Sequence, residues 1–196
     1  MQGRISPEVF EELFAADVQQ FPAGSFRLRF TNQCGIPIKG ESTEKLISIL
    51  QLETLLKYTI PGIPLLQTGE EICMVNAPAG SEHQGIDWSS QSDIRKKTEA
   101  LAMLRSTHPA LALGTWKPVQ CVGAQNIFSF MSRDGKDEVL VVVNFLDKKQ
   151  SVRIRLDDDT TGIWKEYFRG SQYRVEAQRV SIDLQPYGYA VLIPAS

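Results

Sequence analysis

Residues 61–71 read PGIPLLQTGEE. Pro61 ends any helix that precedes it, because its ring clashes with the turn before and its nitrogen carries no proton. Gly62 permits the sharp reversal that must follow. Ile63, Pro64, Leu65 and Leu66 then form a short apolar run suited to a buried strand. Gly69 kinks the chain at the strand's exit, where Glu70 and Glu71 follow as a carboxylate pair. The stretch therefore predicts a helix end, a tight turn, a short strand and an acidic exit.

Upstream, Ser42 or Thr43 can cap a helix, with Glu44 placed favourably in its first turn. Leu46, Ile49, Leu50, Leu52, Leu55 and Leu56 give that helix a broad apolar face before Pro61 stops it. Residues 25–31 (SFRLRFT) alternate as a strand does and lead into Asn32-Gln33-Cys34-Gly35. Before them, Ser6 caps and Pro7 starts a helix running to about Gln20, which Pro22-Ala23-Gly24 ends. Downstream, a loop of about 20 residues contains 80–88 (GSEHQGIDW), and a helix over 92–107 closes before Pro109. The order helix–strand–helix–strand–helix predicts two parallel strands joined by a crossover helix.

From Thr115 the periodicity changes to two. Residues 126–132, 138–145, 151–156, 163–168, 179–184 and 189–193 all read as short strands. Asp134-Gly135 and Arg169-Gly170 supply turns between strands. The continuous apolar run 139–143 marks a strand buried on both faces. Such spacing predicts an antiparallel sandwich or barrel. The expected division is residues 1–113 and 114–196, with the boundary near Gly114.

Composition excludes several classes of function. The net charge of −2 gives no reason to expect nucleic acid or an anionic membrane as partner. No apolar run approaches the roughly 20 residues of a membrane span. The N-terminal 17 residues are amphipathic and acidic, unlike a signal peptide. Cys34, Cys73 and Cys121 are scattered and odd in number, so they read as free thiols of a reducing compartment. The expected location is cytoplasmic, unless an upstream signal peptide is missing from this chain.

The stretch PGIPLLQTGEE resembles the eighth-strand signature of the α-amylase family, glycoside hydrolase family thirteen. That signature has the form Pro-Gly-x-Pro-hydrophobic-hydrophobic-x-x-Gly-x-Glu. Further pieces follow in the family's order. Residues 26–32 resemble the seventh strand, and Ile86-Asp87-Trp88 resembles the loop after the eighth. Leu104-Arg105 with His108-Pro109-Ala110-Leu111 resembles the end of the last barrel helix. Residues 139–145 and 185–192 (QPYGYAVL) resemble the start and finish of the family's C-terminal β domain. A complete (β/α)8 barrel takes about 250 residues, more than this chain holds. The resemblance thus implies an α/β partial TIM-barrel segment, with two parallel strands and three helices, followed by an all-β antiparallel sandwich domain.

For function, the resemblance implies a catalytically inactive C-terminal portion of such a hydrolase. Retaining cleavage needs a nucleophilic carboxylate and a carboxylic acid flanking the bond. In the family these end the fourth and fifth strands, and this chain begins after both. A third acid ends the seventh strand within an Asn-His-Asp triplet, which here reads Asn32-Gln33-Cys34. Asn32 matches, and Gln33 can still hydrogen-bond a sugar hydroxyl. Cys34 cannot replace the aspartate, because a thiol with a pKa of about 8.5 is mostly neutral at pH 7. No catalytic residue is expected, and no cofactor or metal. The substrate-binding candidates are Asn32, Gln33 and the sugar-stacking Trp88, with weak binding of an α-glucan at most. The alternative is one part of a working α-glucan hydrolase whose remaining barrel strands lie on another or removed polypeptide.

Other residues invite chemical readings that have simpler rivals. Glu70 and Glu71 are adjacent, so on a strand they would face opposite ways and cannot act on one bond. Cys34 with His83 or His108 could form a thiol dyad, but a histidine in a helix-ending His-Pro more often caps carbonyls. Asp157-Asp158-Asp159 lacks the glycine and spaced oxygens of a calcium loop and reads as a solvated turn. Trp116 and Trp164 are expected to pack in or beside the β domain. Parallel strands taken out of a closed barrel would have open edges and uncovered apolar faces. Self-association, or pairing with a missing N-terminal barrel part, is the expected consequence.

Overall fold

The computed structural model describes residues 12, 16, 20, 22, 25–30, 42–72, 88, 92–157 and 160–195. They form two compact units, one of Phe26–Thr107 and one of Met1–Ser25 with His108–Ser196. Glu12, Ala16 and Gln20 are helical, and the rest of the expected leading helix lies outside the described residues.

In the first unit, helix α1 (Thr43–Thr59) starts where Ser42 Oγ accepts from the amide of Lys45 at 3.3 Å. It buries Leu46, Leu52, Leu55 and Leu56. The Ile60 amide still donates to Leu56, and Pro61 stops the helix. Helix α1 connects β1 (Leu28–Arg29) to β2 (Ile63–Pro64), which pair in parallel with Leu28 opposite Ile63. Gly62 has φ +125°, and a Cβ there would stand 2.6 Å from the Arg27 carbonyl oxygen. Only glycine lets the chain turn this close to β1. Helix α2 (Ser92–Thr107) packs on α1. Its Arg105 guanidinium donates to the carbonyls of Tyr58 at 2.8 Å, Ile60 at 3.3 Å and Gly62. The first two are carbonyls that the C-terminus of α1 leaves without partners, and Gly62 lies in the turn just beyond it.

Two expectations change in this unit. Within the described residues, the strands expected over 25–31 and 63–66 shrink to two residues each, and Thr31 lies outside those residues. Among the described residues each has one strand partner, and Pro64 has no amide proton to extend the ladder. Glu70 and Glu71 do not lie on a strand but in a 3₁₀ turn (Glu70–Ile72). Alternating strand faces therefore do not separate the two side chains. Phe26, Leu28 and Phe30 are each more than half exposed, and Ile63, Leu65 and Leu66 are also exposed.

The second unit is mostly β-sheet. Its strands are β3 (Thr115–Pro118), β4 (Cys121–Val122), β5 (Ile127–Asp134), β6 (Asp137–Asn144) and β7 (Gln150–Arg155). They continue as β8 (Gly162–Glu166), β9 (Gln172–Val175), β10 (Arg179–Leu184) and β11 (Tyr189–Pro194). Six of them form an antiparallel sheet in the order β3-β5-β6-β11-β8-β9, and three form a second sheet in the order β10-β7-β4. Side chains from both sheets, among them Leu140, Ile154, Trp164, Ile182 and Leu192, make one core. Strands β7 and β10 alternate buried and exposed, as a sheet with one wet face requires. Residues 139–143 are all fully buried, as the unbroken apolar run predicts. Short helix α3 (Pro109–Leu113) lies against β5 and β6. It begins at the proline where the helical pattern was expected to end, because Asp137 accepts from the Ala110 amide at 2.9 Å.

Candidate functional site

The sequence directs attention to the exit of β2. There Glu70 Oε2 lies 2.7 Å from Lys57 Nζ and also accepts from the Gln67 amide at 2.7 Å. Both charged side chains are buried. Glu71 accepts from the Gly69 amide at 2.9 Å, which closes the turn. Glu53, one helical turn before Lys57, has a buried oxygen without a hydrogen-bond partner. Burial, then the charge of Glu70, raises the Glu53 carboxyl above its ordinary range, while Lys57 pulls it down. Burial, with Glu70 and Glu71, likewise raises the Tyr58 phenol. Burial lowers the Arg105 guanidinium from its ordinary value.

This arrangement holds charge and does not offer it. Two carboxyls that cleave a glycosidic bond must both reach it, about 5–5.5 Å apart in retaining enzymes. Glu70 is sealed against Lys57, and Glu71 is folded back on its own turn. The sequence reading missed Lys57. Its signal was present: Glu53 and Lys57 interrupt an apolar helix at i, i+4 spacing, where neighbouring side chains meet.

The other candidates are scattered. Trp88 sits in a turn and is 45% exposed. Asn32, Gln33 and Cys34 lie outside the described residues, as do His83, Cys73, Asp158 and Asp159. His108 Nδ1 is 2.7 Å from Asp137 Oδ1, and its ring meets Tyr167 edge-on. Asp157 pairs with Lys117 and Arg133, which ties the turn after β7 to β3 and β5. Trp164 is in the sandwich core, and Trp116 packs on Phe128 and Phe130. Cys121 is a free thiol whose pKa burial raises, so it is a poor nucleophile. Among the described residues no cluster of His, Cys, Asp and Glu could hold a metal ion, and no helix is long and apolar enough to cross a membrane.

The family model for the C-terminal domain of maltogenic amylase matches residues 120–191, from β4 to β11. The chain resembles the C-terminal part of α-amylase-family glycoside hydrolases. Neopullulanase 2 of Thermoactinomyces vulgaris is 23% identical over 167 residues, covering 84% of this chain and 27% of its own length. The Anoxybacillus α-amylase structure matches with a TM-score of 0.79 at 16% identity, over 96% of this chain and 43% of that one. A maltogenic α-amylase from Thermotoga neapolitana matches with a TM-score of 0.70 at 19% identity, over 100% of this chain and 47% of that one. At such identities the structural likeness concerns the fold. The matches cover about a quarter of the length of the curated relatives. The chain is thus similar to the C-terminal portions of these glycoside hydrolases, and within its β-rich unit residues 120–191 match the maltogenic amylase C-terminal domain.

Proposed function

We propose that this chain is a catalytically inactive portion of an α-amylase-family protein, with weak α-glucan binding at most. In this reading the Phe26–Thr107 unit is a barrel remnant, with β1 and β2 as its seventh and eighth strands. The structural observation that supports the reading is the commitment of Glu70 to Lys57 and of Glu71 to the Gly69 amide, which leaves neither of them, among the described residues, to stand in for the family's acids. The sequence supports it, since Cys34 stands at the position of the family's third acid. Gln33, Asn32 and the exposed Trp88 are the residues assigned to residual sugar contact.

A starch-hydrolysis assay tests this, with and without a polypeptide carrying the remaining barrel strands of a relative. No hydrolysis is expected from the wild-type chain in either case. Hydrolysis by the reconstituted wild-type pair at a normal family rate would overturn the reading.

A second reading, one part of a working hydrolase, is favoured by the exposed Phe26, Leu28, Phe30, Ile63, Leu65 and Leu66. Neighbouring barrel strands would cover these side chains. Without such a partner, the same face promotes self-association. Under this reading the added polypeptide restores activity even with Cys34 in place.

A further inference from the structure

The outer face of the three-stranded sheet carries cations that no contact described above uses. Alternation along β7 turns Ser151, Arg153 and Arg155 outward, and along β10 it turns Arg179, Ser181 and Asp183 outward. The register sets Arg155 directly opposite Arg179, and Arg153 between Ser181 and Val122. Facing residues lie about 5 Å apart and same-face neighbours along a strand about 7 Å. Three guanidiniums on long side chains can therefore converge on one point. With Gln120, Val122 and Ile154 they line a shallow cavity of about 150 Å³. The Arg155 amide donates to the Gln120 carbonyl at 2.9 Å, which fixes Gln120 beside it.

Among the described residues, no ion pair engages these three arginines. Of the nearby acids, Asp157 pairs with Lys117 and Arg133, Asp183 accepts from the Ser151 hydroxyl at 2.5 Å, and Glu176, across the turn from Arg179, is exposed and makes no ion pair with it. Like charges placed directly opposite destabilise a sheet. A chain of net charge −2 has no general excess of cations to dispose of here.

We propose that this cavity binds a phosphate-class oxyanion, either free orthophosphate or a phosphomonoester on a sugar. Guanidinium forks match the oxygens of phosphate, and a tetrahedral dianion can engage all three where a planar carboxylate engages two. The volume decides against larger ligands, since pockets that enclose drug-sized molecules run from about 300 Å³ upward. Val122, 47% exposed, supplies an apolar edge on which a sugar ring beyond the phosphate can rest. The site belongs to the sandwich alone and does not depend on the catalytic status of the other unit.

Calorimetric titration of the full chain at low salt, with orthophosphate, glucose 6-phosphate and glucose as probes, tests the site. Saturable binding of the phosphorylated probes is expected, weakening as salt rises. Arg155→Gln or Arg179→Gln should weaken it about tenfold each, in keeping with the loss of one charged hydrogen bond. The triple variant that also carries Arg153→Gln should bind neither. All three side chains point to solvent, so the variants should fold, and without phosphate the triple variant should melt no lower than wild type. Phosphate should raise the Tm of wild type and leave the triple variant unchanged. Tighter binding of glucose 6-phosphate than of orthophosphate assigns the site to sugar phosphomonoesters, and equal affinities assign it to free phosphate. Equal affinity in wild type and triple variant, or no saturable heat with either phosphorylated probe, overturns the proposal.

Discussion

The sandwich and the helical unit bury their apolar residues by different means. In the sandwich, β6 has strand partners on both sides, and residues 139–143 are fully buried. Its core is one apolar cluster shared by two sheets. In the helical unit, β1 and β2 have a single ladder of two residue pairs and leave Phe26, Leu28 and Phe30 exposed. Its interior combines buried leucines and isoleucines of α1 and α2 with a buried ion pair and with Arg105 spanning three carbonyls. The contrast teaches that the sandwich shares one apolar core between two sheets, whereas the helical unit adds directed polar contacts to its apolar core and keeps an apolar face open. Local stability should differ accordingly.

Trp164→Ala probes the closed unit most severely. Emptying this fully buried site should cost about 3–5 kcal/mol in urea denaturation. If the helices of the other unit unfold at the same lowered midpoint, the two units are one cooperative block and the contrast fails. Next in size is Lys57→Met, which strands the Glu70 charge and should cost about 3 kcal/mol. Adding Glu70→Gln should recover most of the loss, because an amide oxygen still accepts from Gln67. A double variant as unstable as the single one would remove the ion pair from the account. Arg105→Met should cost about 2 kcal/mol and speed amide exchange at the end of α1, where its carbonyl partners lie.

A smaller effect tests the sandwich from the turn between β9 and β10. Ala177 and Gln178 both have positive φ, at 47° and 58°, in a two-residue turn closed by Glu176 and Arg179. Asparagine and glycine suit such a turn far better. Ala177→Asn with Gln178→Gly should stabilise the sandwich by about 1 kcal/mol in thermal melts. The last test concerns pH. Because its carboxyl is raised in the folded state, Glu53 favours folding most below its ordinary pKa. That contribution is lost as pH rises through the folded value. Glu53→Gln should match wild type in acid and exceed it at neutral pH, and parallel stability curves across pH would refute this.

Much of the fold could be read in advance where local signals agree. Helix α2 occupies residues 92–107 as expected, set off by Pro109. Strand β10 shows strict alternation and occupies 179–184 as expected. Strands β3, β4 and β9 escaped notice for physical reasons. β3 ends in a proline and β4 has two residues, so neither displays a period. β9 ends one residue before Ala177-Gln178, which carry no glycine or asparagine to announce a turn. The carboxylates at the exit of β2 were recognised, but their engagement was not. The partner of Glu70 sits 13 residues away on α1, and only the folded turn brings the two together. Of the sugar-contact candidates, Trp88 is exposed, while Asn32 and Gln33 lie outside the described residues.

Strand β11 comes last in the sandwich by chain order yet lies in the middle of the larger sheet, between β6 and β8. Until it emerges during synthesis, β8 and β9 have nothing to join, and β6 shows one bare edge. The ribosome must therefore deliver nearly the whole sandwich before its sheet can form. Each new chain thus passes through an interval in which the apolar run of β6 has one unpaired edge, the kind of edge that invites association before folding is complete.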